Sequence, residues 1–146
     1  MNDKILVVDD DQAARRILTL LLKTTGVILE ASSGAQALKI IEAEQPRLML
    51  LDVIMPGMSG LQVLEAARSS SVSMTIIMLT GQNDIELAKR ALMLGAAEYI
   101  TKPFDLAHLK EKVIRCLTAT PKTERKKAGL PWRMLDPAPP RKAKPS

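Results

Sequence analysis

Lys4-Ile-Leu-Val-Val-Asp-Asp-Asp11 is the stretch that decides the fold. Ile5 to Val8 follow one another without polar alternation, and a short run of that kind belongs to a strand buried on both faces, as in a parallel sheet with helices above and below. Asp9, Asp10 and Asp11 end the run, so the strand emerges at an acidic edge. Further strands read at residues 27–31, 48–51, 74–79 and 98–101, most of them nearly continuous in apolar residues, and the segments between them are longer and amphipathic. Ala14, Ile17, Leu18 and Leu21 mark one helical stripe, Ile85, Ala88, Ala91 and Leu92 another, and Leu106, Leu109, Val113 and Leu117 a third. Ser33 with Gln36 and Ser59 with Gln62 have capping-box spacing, while Asp11, Asp84 and Asp105 stand where they can cap the first, fourth and fifth helices. Five repeats of strand then helix predict an α/β doubly wound fold, a five-stranded parallel sheet covered by five helices. In such a sheet, ligands bind at the carboxyl ends of the strands.

The chain of 146 residues is 47% hydrophobic and 25% charged, enough apolar matter for one core, and its single cysteine, Cys116, excludes a disulfide framework. The first apolar run is short and ends in acids, so it makes no signal peptide, and no stretch approaches the roughly 18 apolar residues of a membrane span. A cytoplasmic protein is expected. The formal charge of +5 is unevenly placed: residues 1–118 carry 13 basic and 14 acidic side chains, residues 119–146 carry 8 against 2. That last stretch also holds Pro121, Pro131, Pro137, Pro139, Pro140 and Pro145 and shows no apolar period. The expected organisation is therefore a folded domain over 1–118 and a disordered basic, Pro-rich tail or linker over 119–146. Lys122, Arg125, Lys126, Lys127, Arg141, Lys142 and Lys144, with Trp132 as a stacking anchor, give that tail the chemistry to bind nucleic acid, which the near-neutral domain lacks. A solvated linker is the plainer reading of it.

Four strand ends carry reactive side chains: Asp9 and Asp10 after the first, Asp52 after the third, Thr80 after the fourth, and Lys102 with Pro103 after the fifth. Singly, each is explained as a turn, a cap or an edge residue. Together they converge on one edge of the sheet. Carboxylates about 5 Å apart repel by roughly 3 kcal/mol at an effective dielectric near 20. A cation must offset that repulsion, and a hard divalent ion that keeps several waters and accepts a phosphoryl oxygen describes Mg²⁺ better than Ca²⁺.

The segments ILVVDDDQAARRIL, LLDVIMPGMSGLQVLE, IIMLTGQ and GAAEYITKPFD resemble the successive signature segments of bacterial two-component response-regulator receiver domains, of the chemotaxis-regulator-like kind, over residues 4 to about 117. The resemblance implies a flavodoxin-like fold with strand order 2-1-3-4-5. Position by position it implies Asp52 as phosphoacceptor, and Asp9 and Asp10 as the pair that holds Mg²⁺ together with Asp52 and the backbone carbonyl of Ile54. It makes Lys102 the phosphate-binding lysine, Thr80 the switch hydroxyl and Tyr99 the aromatic switch residue, with Ile54 and Gln82 tuning dephosphorylation. The Lys102–Pro103 bond would be cis.

The same resemblance implies a phosphorylation-dependent switch rather than an enzyme. A sensor histidine kinase or histidine phosphotransfer protein would feed it, and the face of the fourth helix, fifth strand and fifth helix would control a downstream protein. Apolar Ile54 offers an attacking water no hydrogen bond, so a long-lived phosphoryl group is expected. Those last two helices lack the charged run of dimeric winged-helix regulators, which argues against a dimer of that kind. A flavin-binding protein of this topology would need hydroxyls and amides where the three aspartates stand, and a hydrolase of the aspartyl-phosphate type would need an acid where Ile54 stands. Three outputs stay open: a domain acting alone in a relay or on a target, the receiver portion of a longer regulator, and nucleic-acid binding by the tail.

Overall fold

The computed structural model describes residues 3–70, 73–81 and 84–118; Gln82 and the basic stretch 119–146 lie outside the described residues. Strand and helix alternate throughout: β1 (Lys4–Val8), α1 (Gln12–Leu22), β2 (Val27–Ala31), α2 (Gly34–Glu44), β3 (Leu48–Asp52), α3 (Gly60–Ser69), β4 (Thr75–Thr80), α4 (Ile85–Met93), β5 (Glu98–Thr101) and α5 (Leu106–Thr118). The strands form one sheet in the order β2-β1-β3-β4-β5, every neighbouring pair parallel. β1, β3 and β4 are the interior strands, and Ile5 to Val8, Leu48 to Leu51 and Ile76 to Leu79 are wholly buried, as their unbroken apolar runs require. β3 and β4 each run one residue further than their apolar runs, so Asp52 and Thr80 are the last residues of strands. Leu18 and Leu22 of α1 and Leu109, Val113 and Leu117 of α5 pack on one face of the sheet; α2, α3 and α4 cover the other. Among the described residues, no helix is long and apolar enough to cross a membrane.

The helix stripes hold with local corrections. Residues 17–22 of α1 are apolar at every position but Thr19, more than one stripe can bury, and Leu18 and Leu22 take the sheet while Ile17 stays half exposed. Leu92 and Leu106 are likewise exposed at the margins of their helices. Ser59 and Gln62 complete a reciprocal capping box on α3. At α2 the Ser33 hydroxyl caps the Gln36 amide, but the Gln36 side chain accepts from the Ser32 amide instead of that of Ser33. Asp11 caps α1 through the Ala13 amide, and Asp105 caps α5 through that of His108. Asp84 precedes α4 without a side-chain cap: its backbone is not extended, as a capping residue requires, and its carboxylate turns toward Gly81.

Candidate functional site

The period of two along a strand builds the site. Asp9 follows Ile5 and Val7, Asp52 follows Leu48 and Leu50, and Lys102 follows Ile100, all residues that pack under α1 and α5. Carried past the last apolar residue, the same alternation brings three charged side chains to one side of the sheet's carboxyl edge. Lys102 Nζ lies 3.1 Å from Asp9 Oδ2 and 3.4 Å from Asp52 Oδ2. Asp10 completes the group, and one carboxylate oxygen from each of Asp9, Asp10 and Asp52 lies within 4.8 Å of the others. Asp9 is fully buried, Asp52 nearly so, and Asp10 exposed.

Backbone amides fix the two buried acids. Asp9 Oδ1 accepts from the Asp11 amide at 3.0 Å, and Asp52 Oδ1 from the Ile54 amide at 3.3 Å. Gly60 admits α3 to this edge, because a Cβ there would fall 2.1 Å from the Asp52 carbonyl oxygen, nearer than any contact allows. Burial, reinforced by the charge of Asp9, pushes the Asp52 carboxyl from 3.8 up to about 6, with Lys102 and the Ile54 amide pulling the other way. Burial would lower Lys102, but Asp52 and Asp9 outweigh it and hold the ammonium above its usual value. Three carboxylates against one lysine leave the pocket short of positive charge. Oxygen-only donors at this spacing suit a hard divalent cation such as Mg²⁺.

Thr80 ends β4 on the opposite alternation, after Ile76 and Met78 of the other core layer. Its hydroxyl is fully buried and has no hydrogen-bond partner among the described residues. Its carbonyl accepts from the Lys102 amide at 2.6 Å. Tyr99 is half-buried on β5 against the layer under α2, α3 and α4, an intermediate position rather than an exposed one. Ile54 is 55% exposed beside Asp52, and the Lys102–Pro103 peptide is cis. The structure therefore brings Asp9, Asp10, Asp52 and Lys102 together with Thr80 at the adjoining strand end. Arg15, which the sequence pattern did not single out, also reaches this edge: its Nη1 donates to the Asp9 carbonyl at 2.7 Å. An arginine one turn into a helix whose cap is the last of the three acids was the only signal available for it.

Fold and site together define a doubly wound domain with an acidic, lysine-bridged pocket at the carboxyl edge of its sheet. The response regulator receiver domain model matches residues 5–114, and the chain belongs to that family, the receiver domains of two-component response regulators. It is 33% identical over 118 residues to sporulation initiation phosphotransferase F of Bacillus subtilis, a match covering 80% of this chain and 95% of that one. It is 37% identical over 131 residues to the alkaline phosphatase synthesis transcriptional regulatory protein PhoP of the same organism, covering 86% of this chain and 55% of the relative. The chain thus spans nearly the whole of the first relative and about half of the second. Among solved structures, the NtrX receiver domain from Brucella abortus superposes with a TM-score of 0.75 at 31% identity, covering 80% of this chain and 99% of that one. The CheY-like receiver domain protein from Methanospirillum hungatei does so with 0.76 at 32%, covering 88% and 100%.

Proposed function

We propose that Asp52 accepts a phosphoryl group from a phosphohistidine on a sensor histidine kinase or histidine phosphotransfer protein. The observation that carries this is the meeting of Asp9, Asp10, Asp52 and Lys102 at one sheet edge. A carboxylate oxygen of Asp52 attacks phosphorus, the P–N bond breaks with its electron pair leaving on the imidazole, and an acyl phosphate forms. Asp9, Asp10, Asp52 and the Ile54 carbonyl would hold Mg²⁺, which when bound neutralises charge on the phosphoryl oxygens. Lys102 offers its ammonium to another of those oxygens in exchange for its present contact with Asp52. The Thr80 hydroxyl, buried without a partner among the described residues, donates to a phosphoryl oxygen, and Tyr99 turns further inward as Thr80 moves. The face of α4, β5 and α5 changes with it and presents the signal to a downstream protein. The domain is a switch rather than an enzyme, since only self-phosphorylation and slow hydrolysis of its own acyl phosphate are required of it.

The near full-length match to a relative named a phosphotransferase supports a place in a relay. The half-length match to transcriptional regulators supports a receiver joined to an output domain. Intact mass after incubation with a small acyl phosphate and Mg²⁺ tests the central reading: one phosphoryl adduct is expected, absent in Asp52→Asn. No adduct, or one that persists in Asp52→Asn, rejects it. Followed over time, the same adduct should decay about fivefold faster in Ile54→Asn, the effect of one added hydrogen bond to the attacking water worth ~1 kcal/mol.

A further inference from the structure

The acids of the pocket are not held alike. Asp9 and Asp52 are each fixed by Lys102 and by a backbone amide. The Asp10 carboxylate has no hydrogen bond or ion pair among the described residues, yet an oxygen of it lies within 4.8 Å of the other two. Its placement must come from its own backbone. The peptide joining Asp9 to Asp10 lies just past the end of β1: the Asp9 amide still bonds to the Ala31 carbonyl of β2 at 3.2 Å, and Nη1 of Arg15 takes the Asp9 carbonyl at 2.7 Å. The Arg15 side chain is 14% exposed, and its Nε bonds to Glu30 Oε1 of β2 at 3.2 Å. The other oxygen of Glu30 accepts from the hydroxyl of Thr19, one turn along α1 from Arg15, at 3.0 Å. Glu30 is thus gripped by two residues of one helix face and holds the guanidinium plane toward the carbonyl. A guanidinium fork serves both partners at once.

We infer that Arg15, clamped by a Glu30 that Thr19 in turn holds, is a positioning residue that aims Asp10 at the cation by holding the Asp9–Asp10 peptide. The inference rests on the cation-binding part of the proposed function. Its test uses Mg²⁺ alone, with no phosphodonor, titrated into the full chain while the amide resonance of Asp10 is followed. Arg15→Gln should weaken Mg²⁺ about tenfold, the low end for groups that orient metal ligands. Arg15→Lys, which keeps a donor for the carbonyl but loses the fork, should recover part of that loss, and thermal unfolding without Mg²⁺ checks that both variants fold. An affinity in Arg15→Gln within about twofold of the parent, smaller than the loss of one hydrogen bond, overturns the inference, as does Arg15→Lys binding as weakly as Arg15→Gln. Should Arg15→Gln fail to fold, Glu30→Ala carries the test by unclamping the guanidinium: about threefold weaker binding is expected, and unchanged binding overturns it. A parent chain that binds Mg²⁺ but takes no phosphoryl group removes the proposed function and leaves the positioning role standing. A parent that binds no Mg²⁺ removes both.

Discussion

The two faces of the sheet are packed with different materials. Under α1 and α5 the buried side chains are Ile, Val and Leu throughout, with Phe104 at the margin. Under α2, α3 and α4 the layer adds Met49, Met55, Met74 and Met78 and Ala31, Ala37, Ala67, Ala91 and Ala96 to branched residues such as Leu6, Val63 and Ile76. Branched aliphatic side chains interlock in few rotamers, whereas unbranched Met has three soft torsions and adapts to what surrounds it. Asp9, Asp52 and Lys102 continue the alternation of the aliphatic layer; Thr80 continues that of the methionine layer, where Tyr99 also rests. The groups proposed to do chemistry thus stand on the stiffer side, and those proposed to move stand on the more adaptable one.

Stability measurements are the strongest way to break this contrast. Leu50 and Met78 are both wholly buried on interior strands, one in each layer. Leu50→Ala should cost about 4 kcal/mol and Met78→Ala about 2–3 kcal/mol, because methionine neighbours close more of the cavity. Urea unfolding decides it, and equal losses would erase the distinction.

Next in size is the pH response of the charged edge. With the Asp52 carboxyl raised from 3.8 to about 6, the folded protein between those pH values holds a proton that the unfolded chain has released. Without divalent cation, stability should therefore fall as pH rises from about 4 through 6, by about 1–2 kcal/mol, less than the full shift because exposed Asp10 and Lys102 admit water. Asp52→Asn should flatten that slope and leave the protein more stable at pH 7. Unfolding midpoints across this range check the sign, and a slope that survives in Asp52→Asn would move its origin elsewhere.

The smallest effect sharpens the methionine side. Thr80→Val removes a buried hydroxyl that has no partner among the described residues, so it should stabilise the resting domain by about 1 kcal/mol while abolishing the response of Tyr99 fluorescence to a phosphodonor. A less stable variant would show that the hydroxyl is already satisfied.

Much of this was legible before the structure. The unbroken apolar runs marked the interior strands β1, β3 and β4 because burial on both faces leaves no position for a polar residue. The edge strands β2 and β5, which carry Glu30 and Glu98, were marked by their place between helices, and strict alternation with helices gave a parallel sheet and the edge where Asp9, Asp10, Asp52, Thr80 and Lys102 converge. The helix faces were less legible where apolar residues outnumbered one stripe, as at Ile17, or sat at its margin, as at Leu92 and Leu106. The missing cap at Asp84 depends on backbone angles that composition does not carry. Arg15 was silent for a related reason: its partner is a carbonyl, which every residue has, so no spacing of side-chain types announces it. The Ser59 cap marked where α3 begins, but nothing marked Gly60 beside it as the gap that lets that helix reach Asp52.

Lys102 holds three neighbours by two different parts of itself. Its main-chain amide grips the Thr80 carbonyl at 2.6 Å, and its ammonium spans Asp9 and Asp52. The residue just past β5 is in this way fastened to β4 through its backbone and to the ends of β1 and β3 through its side chain. Any redistribution of charge at Asp52 changes the pull on one end of a lever whose other end holds the peptide carrying the Thr80 hydroxyl, the proposed switch group. The shortest mechanical route from the acid to the β4–β5 seam is therefore a single amino acid long.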